Sequence, residues 1–310
     1  MARARAGALR CIRAFFDKRA VLEVETPSLS RGACPDRHIE LFCAGPHAAG
    51  ATARPETRLL QSSPELYMKR LLAAGYPDIY QVCRVFRQEE RGRVHNPEFT
   101  ILEWYRRGFT LRQIMEEAAA LCCAVAGERP VVFRTYRDIV REHIGLDPLE
   151  TDLAAVLRYL RERDPAVPEL STLTDALQYL MARCVEPRLP RDAYVCVYLY
   201  PAAQAVLATL DERDPHVARR FELYAGGMEI ANGWEELADP AENARRMTSE
   251  NEARKAMGKA TVDVLPGFAE ALQAGLPACS GVALGVDRLV MLATSAASIE
   301  QVVAFPWERA

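Results

Sequence analysis

Apolar positions recur at helical spacing near the start of the chain. Leu9, Ile12, Phe15 and Phe16 form one stripe and arginines fill the other side, which predicts a helix over 8–19. Val21 to Val24 reads as a short extended piece ending at Thr26-Pro27. Residues 30–57 mix Gly, Pro, Cys and His and predict loop, with one strand near Ile39 to Phe42. A helix is expected over 64–74, with Pro64 in its first turn and Glu65 after it. Ile79 to Phe86 and Phe99 to Tyr105 read as strands around a charged loop, Glu89 to Pro97. Thr110 is placed to cap a helix over 110–126. Residues 134–188 read as mainly helical with a break at 165–168, followed by a strand over Val195 to Leu199. A hairpin is expected within 217–238, then a polar helix over 239–258 opened by Asp239-Pro240. A Gly-rich strand, Ser280 to Gly285, enters a last helix near Asp287. The order predicts an α+β domain, with a mixed or antiparallel sheet instead of regular βαβ units and a helical insertion over about 135–190.

Period-two alternation sorts the two hairpins into faces. Phe99, Ile101, Glu103 and Tyr105 share one face of their strand, and Thr100, Leu102 and Trp104 share the other. The first face ends near Arg87 and a loop carrying Glu89, Arg91, Arg93, His95 and Asn96. In the second hairpin a Gly226-Gly227 turn pairs Tyr224 with Glu229 and Glu222 with Ala231. Glu222 and Glu229 then share a face as diagonal neighbours. Two readings stay open for them: oxygen ligands for a divalent cation, or solvated acids paired to Arg219 or Arg220.

Composition changes this picture little. The 310 residues are 50% hydrophobic, and 39 basic against 42 acidic residues leave a net charge of -3. That suits a folded globular chain and does not demand a nucleic-acid partner. Nine cysteines are scattered, without a Cys-x-x-Cys pair, which predicts reduced thiols in a cytoplasmic protein. Cys34, His38, Cys43 and His47 are spaced too loosely for structural zinc. The longest small apolar run, Ala118 to Ala126, is too short to span a bilayer, so no membrane partner is expected. Neither a Gly-x-Gly-x-x-Gly nor a Walker sequence is present.

Five segments, in order, carry a resemblance. FRQEERGRVHNPEFTILEWY (86–105) is similar to motif 2 of the class II lysyl-tRNA synthetases, and SGVALGVDRLVML (280–292) to motif 3. LEVETP (22–27) resembles the end of motif 1, SSPELYMKRLL (62–72) the amino-acid-side element, and GGMEIANGWEEL (226–237) the acidic segment. The resemblance is strongest to the small paralogues in that family that place β-lysine on elongation factor P. It implies an antiparallel six- or seven-stranded sheet flanked by helices, usually in a homodimer. It also implies ATP as substrate with Mg2+. Arg87 would bind the α-phosphate and Arg288 the γ-phosphate side, as the catalytic pair. Phe99 would stack on adenine, with Gln88, Glu89, His95, Asn96, Glu229, Ile230 and Gly285 completing the ATP site. Glu222 and Glu229 would hold the metal. The amino-acid pocket would take Ser63, Pro64, Glu65, Glu103, Tyr105, Asn232, Trp234, Glu236 and Ala283. Glu236 would pair with a side-chain ammonium, because a buried carboxylate without a charged partner is costly.

The chain departs from lysyl-tRNA synthetases in four places. Motif 1 begins almost at residue 1, so an anticodon-binding domain, and with it a stable tRNA anticodon contact, is not expected. Ala283 replaces a motif 3 glycine, a feature shared with the elongation factor P branch. Gln88 replaces asparagine and Trp234 replaces phenylalanine, and Cys34-Pro35-Asp36 stands in place of a Thr-Asp pair. The implied reaction activates β-lysine, or lysine, as an adenylate and passes it to a lysine of elongation factor P. Alternatives are transfer to tRNA, transfer to free ammonia, and a non-catalytic regulatory module.

Overall fold

The computed structural model describes residues 1–45 and 57–310, so His47 and part of the expected 30–57 loop lie outside the described residues. The chain opens with α1 (Ala2–Asp17), β1 (Leu22–Glu23), β2 (Leu29–Ser30), β3 (Cys43–Ala44), β4 (Arg58–Leu60) and α2 (Glu65–Ala73). The first hairpin is β5 (Ile79–Phe86) and β6 (Glu98–Arg107), followed by α3 (Leu111–Ala126) and β7 (Val131–Thr135). Then come α4 (Tyr136–Ile144), α5 (Leu153–Arg161), α6 (Leu173–Leu180) and β8 (Tyr194–Pro201). The second hairpin is β9 (Val217–Ala225) and β10 (Met228–Glu235). The chain closes with α7 (Pro240–Ala256), α8 (Phe268–Gly275), β11 (Cys279–Gly285) and α9 (Val286–Thr294).

Among the described residues the main sheet has eight strands in the order β1-β5-β6-β11-β10-β9-β8-β7. The six or seven antiparallel strands expected are therefore corrected to eight in a mixed sheet. The interior pairs are antiparallel, while β1 pairs parallel to β5 and β7 parallel to β8 at the two edges. Ile39 to Phe42 does not form a strand; the strand there is Cys43–Ala44, paired to β4 in a separate three-stranded sheet.

Local signals explain several boundaries. Thr110 accepts from Gln113 N while the Gln113 side chain accepts from Thr110 N, a complete capping box for α3. Asp239 accepts from Glu242 N ahead of Pro240 at the start of α7. Thr135 ends β7 and caps α4 through Asp138 N, which switches the chain from strand to helix in one residue.

One face of the sheet is largely apolar. Leu102, Trp104, Phe221, Leu223, Val282 and Leu284 bury against α1, α3 and α9, and Phe16 stacks on Tyr80 at 4.5 Å. On the opposite face α4–α6 pack over β8 and β9 through Val156, Leu160 and Leu177 against Val195 and Val197. At the other end of that face α2 and α8 pack beside β5 and β11 through Met68, Leu72, Phe268 and Leu272. A cleft lies over the central strands β6, β11, β10 and β9.

Candidate active site

The cleft floor is set by strand alternation. Phe99, Ile101, Glu103 and Tyr105 of β6 line it, as the period-two reading predicted, while Leu102 and Trp104 point into the core. The second hairpin departs from the expected register. Glu229 does oppose Tyr224, but Ala231 opposes Leu223 and Asn232 opposes Glu222, with a bulge between Glu229 and Ala231. The extra residue matters. In an unbroken strand Glu229 would share a face with Ala231, and Asn232 would point into the core. The bulge turns the strand by one position, so Glu229, Asn232, Trp234 and Glu236 all line one cleft with Glu222 and Arg220.

One end of the cleft gathers arginines and carboxylates. Arg87 donates through Nη1 to Glu90 Oε1 at 2.8 Å and through Nε to the Ser62 carbonyl at 3.3 Å. Its guanidinium lies 5.1 Å from the Phe99 ring centroid. Arg288 donates to the Val94 carbonyl, to the Glu229 carbonyl at 2.9 Å and to Glu229 Oε2 at 3.3 Å, and meets His95 Nε2 at 2.5 Å. Its neighbour Asp287 anchors the start of α9 by accepting from Thr100 N and from Arg5. Arg5 thus has a structural task that its place in a basic N-terminal segment does not suggest. Burial and the Arg288 charge hold His95 below the usual imidazole range, against the pull of Glu90. Burial tends to raise Glu90, but Arg87 outweighs it and the carboxyl is held low.

Glu222 is not a solvated acid. It accepts from Arg220, Tyr200 and Tyr224, and Arg220 also donates to Asn232 Oδ1 and the Gln204 carbonyl. Of the two arginines named as partners for the acids, Arg220 takes this buried place and Arg219 pairs with Asp211 and Glu235. Burial and the neighbouring Glu222 raise the Glu229 carboxyl, opposed by Arg288, Arg220 and Arg87. Glu186, from the turn after α6, sits 3.5 Å from the Tyr224 hydroxyl and is pushed up to about 7 by burial, Glu222 and Glu229.

The other end gathers carboxylates and one ammonium. Glu103 Oε2 accepts from Ser63 Oγ at 2.8 Å and Oε1 from the Tyr105 hydroxyl at 2.6 Å. Burial and the nearby Glu65 push the Glu103 carboxyl up to about 8. Glu236 accepts from Trp234 Nε1 at 2.8 Å and is raised by burial to about 7, although Lys69 pulls the other way. A neutral substrate would not leave Glu236 wholly uncompensated, because an internal cation is already there: Lys69 Nζ stands 2.5 Å from Glu236 and 2.6 Å from Glu65. The Glu65–Lys69 spacing of four on a helix was the available signal for it.

Most of the sequence-derived site residues meet here. Ser63, Glu65, Arg87, His95, Asn96, Phe99, Glu103, Tyr105, Glu222, Glu229, Ile230, Asn232, Trp234, Glu236, Ala283, Gly285 and Arg288 all line one cleft of about 400 Å³. Pro64, Gln88 and Glu89 are not on its wall. Pro64 serves as the N-cap of α2, and the Gln88 backbone donates to the Glu40 carbonyl. The Glu89 side chain is 66% exposed near Lys259, because the turn after β5 aims Glu90 at Arg87 instead. Asn96 lines the cleft, but its amide is committed to the Glu98 carbonyl and the Trp307 backbone. Gly281, which no motif argument singled out, lies between Tyr105 and Trp234 in the sheet. A Cβ there would stand 2.5 Å from Tyr105 Cε1 and closer still to Glu236 Oε1. At Gly285 a Cβ would meet only the Arg288 stem at 3.7–3.8 Å, so that wall is open to a ligand.

A cleft floored by a mostly antiparallel sheet, with one arginine from a strand hairpin and another opening a helix, is the arrangement that the resemblance to class II synthetases implies. Residues 1–309 match the family described as tRNA synthetases class II (D, K and N), and the chain belongs to that family. Among its curated relatives is the elongation factor P–(R)-β-lysine ligase of Haemophilus ducreyi, 43% identical over 302 residues, 96% of this chain and 91% of that protein. The proteins of that name from Vibrio cholerae and Pasteurella multocida are 44% and 42% identical, each covering 99% of this chain and 95% of their own length. No helix among the described residues is long and apolar enough to cross a membrane.

Proposed function

We propose that this chain is an ATP-dependent ligase that activates (R)-β-lysine as its adenylate and transfers it to a lysine side chain of elongation factor P. The observation that carries the reading is the β10 bulge. It joins an arginine-flanked anionic-ligand end to a carboxylate-rich end in one continuous cleft, with relatives of that name matching over nearly their whole length. In the first step a substrate carboxylate oxygen forms a bond to the ATP α-phosphorus, and the bond from that phosphorus to the pyrophosphate leaving group breaks. The carboxylate is already a nucleophile, so the residues act by alignment and charge stabilisation. Arg87 would grip the α-phosphate, Phe99 would stack on the base, and Arg288 would neutralise the γ-phosphate side. In the second step the acceptor amine, having lost its proton, attacks the acyl carbon, AMP leaves, and an amide forms.

Mg2+ fits the donor set in kind. Glu222 and Glu229 offer hard carboxylate oxygens in one cleft, where a cation would offset the burial and the Glu222 charge that raise the Glu229 carboxyl. Glu222 would have to trade bonds from Arg220 and the two tyrosines for an ion. When bound, the ion supplies positive charge to the ATP phosphates. The chain is further read as a homodimer through the Leu22–Pro27 region, working in the cytoplasm.

ATP–pyrophosphate exchange with a panel of amino acids tests the first step. Exchange should require β-lysine or lysine, and Arg87→Ala should lower it by ~10²-fold or more with the dimer intact. Near-normal exchange by that variant, or equal exchange with neutral amino acids, refutes the assignment.

A further inference from the structure

Lys69 is fully enclosed, with 1% of its surface exposed, and stands behind the wall of the amino-acid end. It bridges Glu65 Oε1 at 2.6 Å and Glu236 Oε2 at 2.5 Å, and Trp234 Nε1 donates to the same Glu236 oxygen. Those bonds leave the second oxygen of each carboxylate for a ligand. Glu103 is differently placed, since both of its oxygens already accept from Ser63 and Tyr105.

We propose that Lys69 is a built-in counter-cation that sets the charge of the amino-acid pocket. By cancelling one of the two carboxylates it bridges, it leaves a single negative charge matched to one substrate ammonium. The inference rests on the cationic-substrate reading above and makes Lys69 a positioning and specificity-determining residue for it. Without that cation, the buried Glu236 carboxylate and the largely enclosed Glu65 carboxylate beside it cannot both stay ionised. One would take a proton and cease to be an acceptor for the incoming ammonium. A merely mechanical brace would need only the length of the side chain.

The groups that face this bridge are Glu103 and Tyr105 from β6, Cys34 from the loop after β2, Trp234 from β10 and Cys279 from β11. Glu103 responds in the same sense as Glu236, because Glu65 raises both and Lys69 lowers both.

The test is the pH profile of kcat/KM for β-lysine in the exchange assay, for the wild type, Lys69→Met, Glu65→Gln and the double variant. The wild type should lose efficiency as pH falls through about 7, where Glu236 takes its proton. Lys69→Met should move that acid limb up by about one pH unit or more. Adding Glu65→Gln should bring it back toward the wild-type position, because a single carboxylate needs no internal cation. Glu65→Gln alone should move the limb down, which keeps the idea testable if Lys69→Met does not fold. An unmoved limb in Lys69→Met, or a double variant that keeps the single variant's limb, overturns the inference alone. Absence of wild-type exchange with any cationic amino acid overturns the functional reading and this inference with it.

Discussion

Alanine at position 281 adds one methyl to the crowded wall of the proposed amino-acid pocket. The Cβ would stand 2.5 Å and 2.9 Å from two Tyr105 ring carbons and closer still to Glu236 Oε1. Ordinary carbon contacts sit at about 3.5–4.0 Å, so the wall must open by about 1 Å. It cannot do so by swinging a free side chain. The Tyr105 hydroxyl is bonded to Glu103, Glu236 is bonded to Trp234 and Lys69, and both residues are buried. Overpacking of this kind costs about 1–3 kcal/mol of stability. A displacement of about 1 Å in groups that position a substrate costs on the order of 10²-fold in rate. Gly281→Ala should therefore lower kcat/KM for β-lysine by about that factor, while the KM for ATP stays near the wild-type value. The contrasting variant is Gly285→Ala, where the new methyl meets only the Arg288 stem at 3.7 Å. It should fold normally and raise the KM for ATP. Pyrophosphate exchange with each substrate varied in turn reads both. A Gly281→Ala enzyme within about twofold of wild type for β-lysine, at unchanged melting temperature, refutes the packing argument.

Two further outcomes concern stability. Glu103 is raised to about 8, above the ordinary carboxylate value, so the folded state holds a proton that the unfolded chain has released. Its contribution is fully present below the unfolded value and is lost as pH rises toward 8; Glu103→Gln should flatten that decline, raising Tm at alkaline pH relative to wild type by ~2 °C or more in thermal melts. Thr110→Ala removes the capping box of α3 and should cost about 1 kcal/mol in denaturant unfolding, with exchange activity unchanged.

The elements most legible in the sequence are those whose cause is local. The α3 start follows from Thr110 and Gln113, the motif 2 hairpin from alternation, and the α7 start from Asp239-Pro240. Elements whose cause is tertiary were not legible. β7 is a half-exposed edge strand of five residues, and its short Val131-Val132-Phe133 run becomes a strand through parallel pairing to β8. The β10 bulge is a one-residue offset that breaks no composition rule, yet it places Asn232, Trp234 and Glu236 in the cleft. Lys69 carries a helix-surface spacing but lies buried because β10 brings Glu236 against α2. Glu89 and Glu90 are adjacent, and only the turn after β5 decides which one meets Arg87.

One measurement decides directly which acceptor receives the acyl group. The wild-type enzyme is incubated with ATP and labelled (R)-β-lysine, then offered elongation factor P and total tRNA in the same reaction, and label on each is measured after separation. The expected result is an acid-stable and base-stable amide label on elongation factor P, with AMP formed in proportion. Label on tRNA alone, released by mild base as an ester is, would contradict it.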